Sequence, residues 1–71
     1  MGERKFLQVI TFKHWESGRE FQTRTHFKTS ENAIKDANQW ITRKCKMVHR
    51  DVLKVDVISK DTKEVVWSWE A

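Results

Sequence analysis

The sequence predicts an α+β domain of order ββαββ: one four-stranded sheet, strand order 2-1-4-3, with one helix packed across one face. Three observations carry this expectation. Apolar residues recur at period two on either side of a single stretch where they recur at helical period. The chain has no Pro and only two Gly, so little interrupts these runs. Its 71 residues, 38% apolar and 34% charged, suit a single folded domain spanning 1–71 with residues 1–4 frayed. Size scaling lets such a chain bury roughly 62% of its open-chain surface, enough for one thin core and not for a cleft between domains.

The first strand is residues 5–13, rich in aromatic and β-branched types. Glu16-Ser17-Gly18 breaks the run, and Gly18 supplies the positive φ that a hairpin loop requires. In residues 19–28, Phe21, Thr23, Thr25 and Phe27 share one face, opposite Glu20, Gln22, Arg24, His26 and Lys28. Thr29 or Ser30 then caps a helix from about Ser30 to Lys46, with Glu31 in its first turn to suit the dipole. Its apolar stripe is Ala33, Ile34, Ala37, Trp40, Ile41 and Cys45. Val52 to Ile58 is the third strand, with Leu53, Val55 and Val57 on one face. Lys60-Asp61-Thr62-Lys63 turns the chain, and the fourth strand puts Val65, Trp67 and Trp69 on one side.

Neither the helix nor two hairpins can bury an apolar side alone, so the helix must lie on the sheet. With the first and last strands parallel in the middle, the layout resembles the β-grasp arrangement of the small immunoglobulin-binding bacterial domains. The resemblance covers about 65 residues and concerns element order and length; it brings no binding residue and no function. The alternative is a sheet of the same elements completed by a second chain.

The first strand is apolar on both faces: Phe6, Ile10 and Phe12 on one, Leu7 and Val9 on the other. Hairpin register decides which set lies under the helix. A three-residue loop would pair Leu7 and Val9 with the Phe21–Phe27 face, and a four-residue loop would pair Ile10 and Phe12 with it. The second is favoured because it buries the bulkier side chains. Leu7 and Val9 then remain on the open face, joined by Val66 and by Val52 and Ile58. Such a patch marks a contact surface, unless the stems of Arg24 and Lys54 cover it.

The formal net charge is +4, and residues 42–50 account for all of it: Arg43, Lys44, Lys46 and Arg50, with no acid. Residues 1–41 carry seven basic and five acidic side chains, and residues 51–71 carry three and five. Such a segment attracts phosphates or an acidic protein, and Trp40 lies one turn away as an aromatic platform. Cations in a last helical turn also have a purely structural reason, since the dipole favours each by about 0.3–1 kcal/mol. No recognition motif accompanies them.

Cys45 stands alone, which predicts a reducing, cytoplasmic setting and no intramolecular disulfide. Cys45 and His49 share a helical face, but zinc needs two further ligands and nothing places His14 or His26 near them, so no metal is expected. Of the four tryptophans, Trp40, Trp67 and Trp69 have core spacing, and Trp15, beside the first turn, is the exposed one, stacked on Arg19. Asp51 and Asp56 fall on opposite faces by parity, and there is no phosphate-cradling glycine loop, so no catalytic residue and no cofactor are expected. No apolar run approaches the ~20 residues that span a bilayer, and no apolar segment follows the charged Met1–Lys5 as in a secretory leader.

The function these readings favour is a small non-catalytic binding module that self-associates through its open sheet face. The residues expected at that interface are Leu7, Val9, Trp15, Arg24 and Val66. One alternative is nucleic-acid binding through Arg43, Lys44, Lys46 and Arg50. Another is an accessory subunit of a larger assembly, of the type mobile elements encode.

Overall fold

A computed structural model describes residues 4–71; residues 1–3, part of the segment expected to fray, lie outside the described residues. Arg4 and Lys5 are exposed and precede β1 (Phe6–His14). β2 (Glu20–Phe27) follows, then α1 (Ser30–Gln39), a π-helical turn (Trp40–Lys44), a short α2 (Cys45–Met47), β3 (Arg50–Ser59) and β4 (Val65–Glu70). The α+β class, the element order and the four-stranded sheet agree with the sequence reading. The strand order does not.

The sheet runs β2-β1-β3-β4 and every neighbouring pair is antiparallel. The parallel central pair that a β-grasp sheet requires is therefore missing. The reason lies in how much each strand buries. β3 has ten residues and buries Val52, Val55 and Val57, whereas β4 has six and buries none fully. A central strand is covered on both flanks, so the longer, greasier β3 takes that position and β4 becomes an edge. β2 and β3 both run antiparallel to β1, so the chain must travel back one strand length between them. The helical segment from Ser30 to Met47 supplies about 27 Å at 1.5 Å per residue.

The helix starts as expected: the Thr29 hydroxyl accepts from the Asn32 amide at 3.2 Å. Its apolar residues Ala33, Ala37, Ile41 and Cys45 stand four apart. In an α-helix a four-residue step overshoots one turn by about 40°, so the stripe would wander off the sheet. The π turn at Trp40–Lys44 takes an extra residue into one turn and corrects the drift. Cys45 is thereby brought into the core beside Ala37.

The first hairpin has the four-residue loop. The His14 amide donates to the Arg19 carbonyl at 2.9 Å, and Phe12 pairs with Phe21 and Ile10 with Thr23. Gly18 closes the loop at φ +71°. The second hairpin is built alike, with Ser59 donating to Glu64 at 2.8 Å and Lys63 in the glycine-like position at φ +61°. Ile10 and Phe12 lie fully buried under the helix, with Phe12 stacked on Phe21 and edge-on to Trp40. Trp40, Trp67 and Trp69 are half-buried and packed against this cluster.

Two β-bulges change faces that parity assigns. On β3, Phe12 pairs with Val52 but Thr11 with Lys54, so Leu53 is one residue extra. Val52 thus points into the core, not onto the open face, and takes the place expected for Leu53. The same bulge puts Asp51 and Asp56 on one face, opposite Lys13 and Val9 respectively. Their partners are four residues apart along β1, about 14 Å, so the two carboxylates still do not meet. On β4, Val57 pairs with Trp67 but Ile58 with Val65, so Val66 is extra and Val65 leaves the tryptophan face for solvent.

Candidate interaction surfaces

The helix covers one face of the sheet, and Gln8 helps to hold it there. Gln8 is 1% exposed, and its Nε2 donates to the Ala33 carbonyl at 2.8 Å and to Asp36 Oδ2 at 3.2 Å. Asp36 in turn binds Lys44 at 3.1 Å, and the Lys44 ammonium lies 5.3 Å from the Trp40 ring centre. Sequence periodicity gives no sign of this network, because Gln8 reads as the polar break in an apolar strand.

Among the described residues, no element covers the other face. Strand pairing arranges it in rows: His26, Leu7, Ile58 and Val65, then Arg24, Val9, Asp56 and Ser68, then Gln22, Thr11, Lys54 and Glu70. Leu7, Val9 and Ile58 are half-buried; Arg24 and Lys54 are exposed beside them. Of the expected interface residues, Leu7, Val9 and Arg24 are thus adjacent. Val66 sits at the far end, by the second hairpin loop, and is exposed along with Val65. Charge is uneven across the face. Arg24 lies on the β2 side, Glu70 lies on the β4 side, and Lys54 and Asp56 pair with each other at 3.9 Å between them.

Trp15 is elsewhere, at the end of the sheet where β1 stops and β3 begins. It does not stack on Arg19. Its amide donates to the His49 carbonyl at 3.2 Å, its indole Nε1–H donates to Asp51 Oδ1 at 2.9 Å, and its ring meets the His49 ring edge-to-face at 5.2 Å. Half of the residue, 49%, remains exposed, and Met47 nearby in sequence to His49 is 79% exposed. Residue type alone does not mark Met47 and Val48, and it points to His49 and Asp51 only as a zinc ligand and an acid, not as neighbours of Trp15. The signal for them is an apolar pair, Met47-Val48, placed just past the helix in a charged segment.

The four cations of that segment have separate fates. Lys44 is engaged by Asp36 and Trp40. Arg50 lies against Phe21 and Phe12, its guanidinium carbon 5.0 and 5.7 Å from their ring centres, with Nε buried and without a hydrogen-bond partner. Arg43 and Lys46 are exposed and form no ion pair among the described residues. Cys45 is buried, and its thiol donates to the Ile41 carbonyl at 3.6 Å. Among the described residues no three metal-ligating side chains come together, and no helix is long and apolar enough to cross a membrane.

Comparison with known proteins finds no matching family model, and neither a curated protein nor a solved structure matches the chain significantly.

Proposed function

We propose that the protein is a non-catalytic binding module that works as a homodimer, two copies packing their open sheet faces together. The observation carrying this reading is the patch of Leu7, Val9 and Ile58 on neighbouring rows, with no element of the described residues above it. Four strands at about 4.8 Å spacing and eight residues at about 3.4 Å give a face of roughly 500 Å². Two such faces offer about 1,000 Å², the lower bound of a specific interface.

Charge selects a second copy as the occupant. A two-fold axis lying between the sheets and running along the strands sets β2 of one copy across β4 of the other. Arg24 of each copy then faces Ser68 of the other, with Glu70 one row away, about 7 Å along the strand and within reach of the long side chain, twice by symmetry. The Leu7–Val9–Ile58 patch of one copy meets that of its mate. The single buried cysteine suits a reducing, cytoplasmic setting for this dimer.

Sedimentation equilibrium at about 1–100 µM, a range suited to the weak association of a small interface, tests the reading. Leu7→Glu is expected to raise the dimer Kd at least tenfold while circular dichroism stays unchanged. Arg24→Glu weakens the dimer, and adding Glu70→Arg restores it. A strict monomer across the range, or a dimer indifferent to Leu7→Glu, refutes it.

A further inference from the structure

We infer that the Trp15 end of the domain is a second, separate site, which binds single-stranded nucleic acid by stacking a base on Trp15 and holding phosphates with Arg43 and Lys46. The inference does not depend on the dimer, since the residues belong to one chain and none lies in the Leu7–Val9–Ile58 patch.

Three parts of the chain converge there: the residue after β1, the turn that follows α2, and the start of β3. Trp15 adds nothing to the core cluster, yet it is fixed by two hydrogen bonds and a ring contact. A tryptophan that keeps half its surface in water while its orientation is fixed is a preorganised platform, because ordering entropy has been lost before a ligand arrives. The indole N–H is already satisfied by Asp51, so what Trp15 offers a ligand is its ring and not its donor.

His49 strengthens this reading. It sits at φ +55°, a left-handed conformation that costs a side-chain-bearing residue roughly 1–2 kcal/mol relative to glycine. Glycine would relieve the cost and lose the ring that braces Trp15. The strained position therefore carries the side chain that orients the platform.

Cations stand close by along the chain: Lys46 is three residues before His49, the residue that braces Trp15, and Arg43 is three before Lys46. Residues 42–50 contain four basic side chains and no acid. Lys44 and Arg50 are occupied within the chain, leaving Arg43 and Lys46, three apart along the same helical segment and on neighbouring positions of its surface. An acidic peptide would use the cations but not the ring. A base followed by its phosphate uses both, and every base has a π-face, so the site tolerates sequence.

Fluorescence anisotropy of a fluorescein-labelled oligothymidylate strand, titrated with the intact protein, tests this. Two phosphate contacts on a single strand give a slope of about −1.4 in log K against log salt, or about a sevenfold loss of affinity between 50 and 200 mM salt. Trp15→Ala should weaken binding by about 5- to 150-fold, the range for loss of one stacked base. Trp15→Phe should retain most of it. The exposed pair Arg43→Gln with Lys46→Gln, which does not touch the core, should flatten the salt slope. Leu7→Glu should leave binding intact even when it dissociates the dimer, so failure of either proposal is visible without the other. No binding at low salt overturns the inference. So does binding indifferent to Trp15→Ala, or equal binding of an acidic peptide with the same dependence on Trp15.

Discussion

Replacing Gln8 by Glu keeps the shape of the side chain and exchanges one buried donor for a carboxyl group. In the native chain Gln8 Nε2 donates to the Ala33 carbonyl and to Asp36 Oδ2, and the residue is 1% exposed. A carboxylate there would face a carbonyl oxygen and a second carboxylate, with no donor replacing the lost amide. Both burial and the Asp36 charge drive the new group to stay protonated. Full burial raises a carboxyl by up to about 3–5 pH units, and one pH unit of displacement is worth about 1.4 kcal/mol. Taking about 4.3 for the unfolded glutamate, the cost at pH 7 approaches about 3.7 kcal/mol, a large part of the roughly 4–11 kcal/mol expected for a domain this size. The sign follows from proton binding. Below the unfolded value both states hold the proton, and the neutral acid donates its O–H to Ala33 or Asp36, so Gln8→Glu should nearly match the native protein near pH 4. As pH rises past that value the unfolded chain ionises while the folded one does not. Stability then falls relative to the native protein by up to about 1.4 kcal/mol per pH unit. Urea unfolding followed by tryptophan fluorescence at pH 4, 5.5 and 7 measures the difference, which cancels the titration of all groups common to both proteins. A cost below about 1 kcal/mol at pH 7, or one independent of pH, would show that Gln8 does not sit buried against Asp36.

Thr29→Ala should destabilise by about 1 kcal/mol, read as a lower urea midpoint at unchanged m-value, because it strips the acceptor from the Asn32 amide. The two hairpin loops should respond in opposite senses to glycine. Gly18→Ala has open space around its new Cβ but must hold φ +71°, so it should cost about 1 kcal/mol. Lys63→Gly relieves the same conformation at φ +61° and should gain a few tenths of a kcal/mol after the entropy of the unfolded chain is counted, measured by thermal unfolding.

The element order, the helix with its Thr29 cap, the turn at Gly18 and the first hairpin's register were all legible in the residues. Each depends on neighbours a few positions away: period two in Phe21–Phe27, helical spacing from Ala33, and bulk in Ile10 and Phe12 that favours one of two loops. Even the π turn has a trace in the fourfold spacing of Ala33, Ala37, Ile41 and Cys45. Strand order was not legible, because it compares whole strands for the central place, and β3 with its three buried valines displaces β4. The bulges at Leu53 and Val66 escape parity, since one added residue reverses every face beyond it and leaves no mark in composition. The candidate sites divide in the same way. That Leu7 and Val9 share an open face and that residues 42–50 concentrate positive charge belong to the sequence. Tertiary packing alone decides that Arg50 is held by Phe12 and Phe21, and that Trp15 meets His49 and Asp51 more than thirty positions away. Contacts over such separations are selected by the free energy of the assembled sheet and helix, which no local window of residues contains.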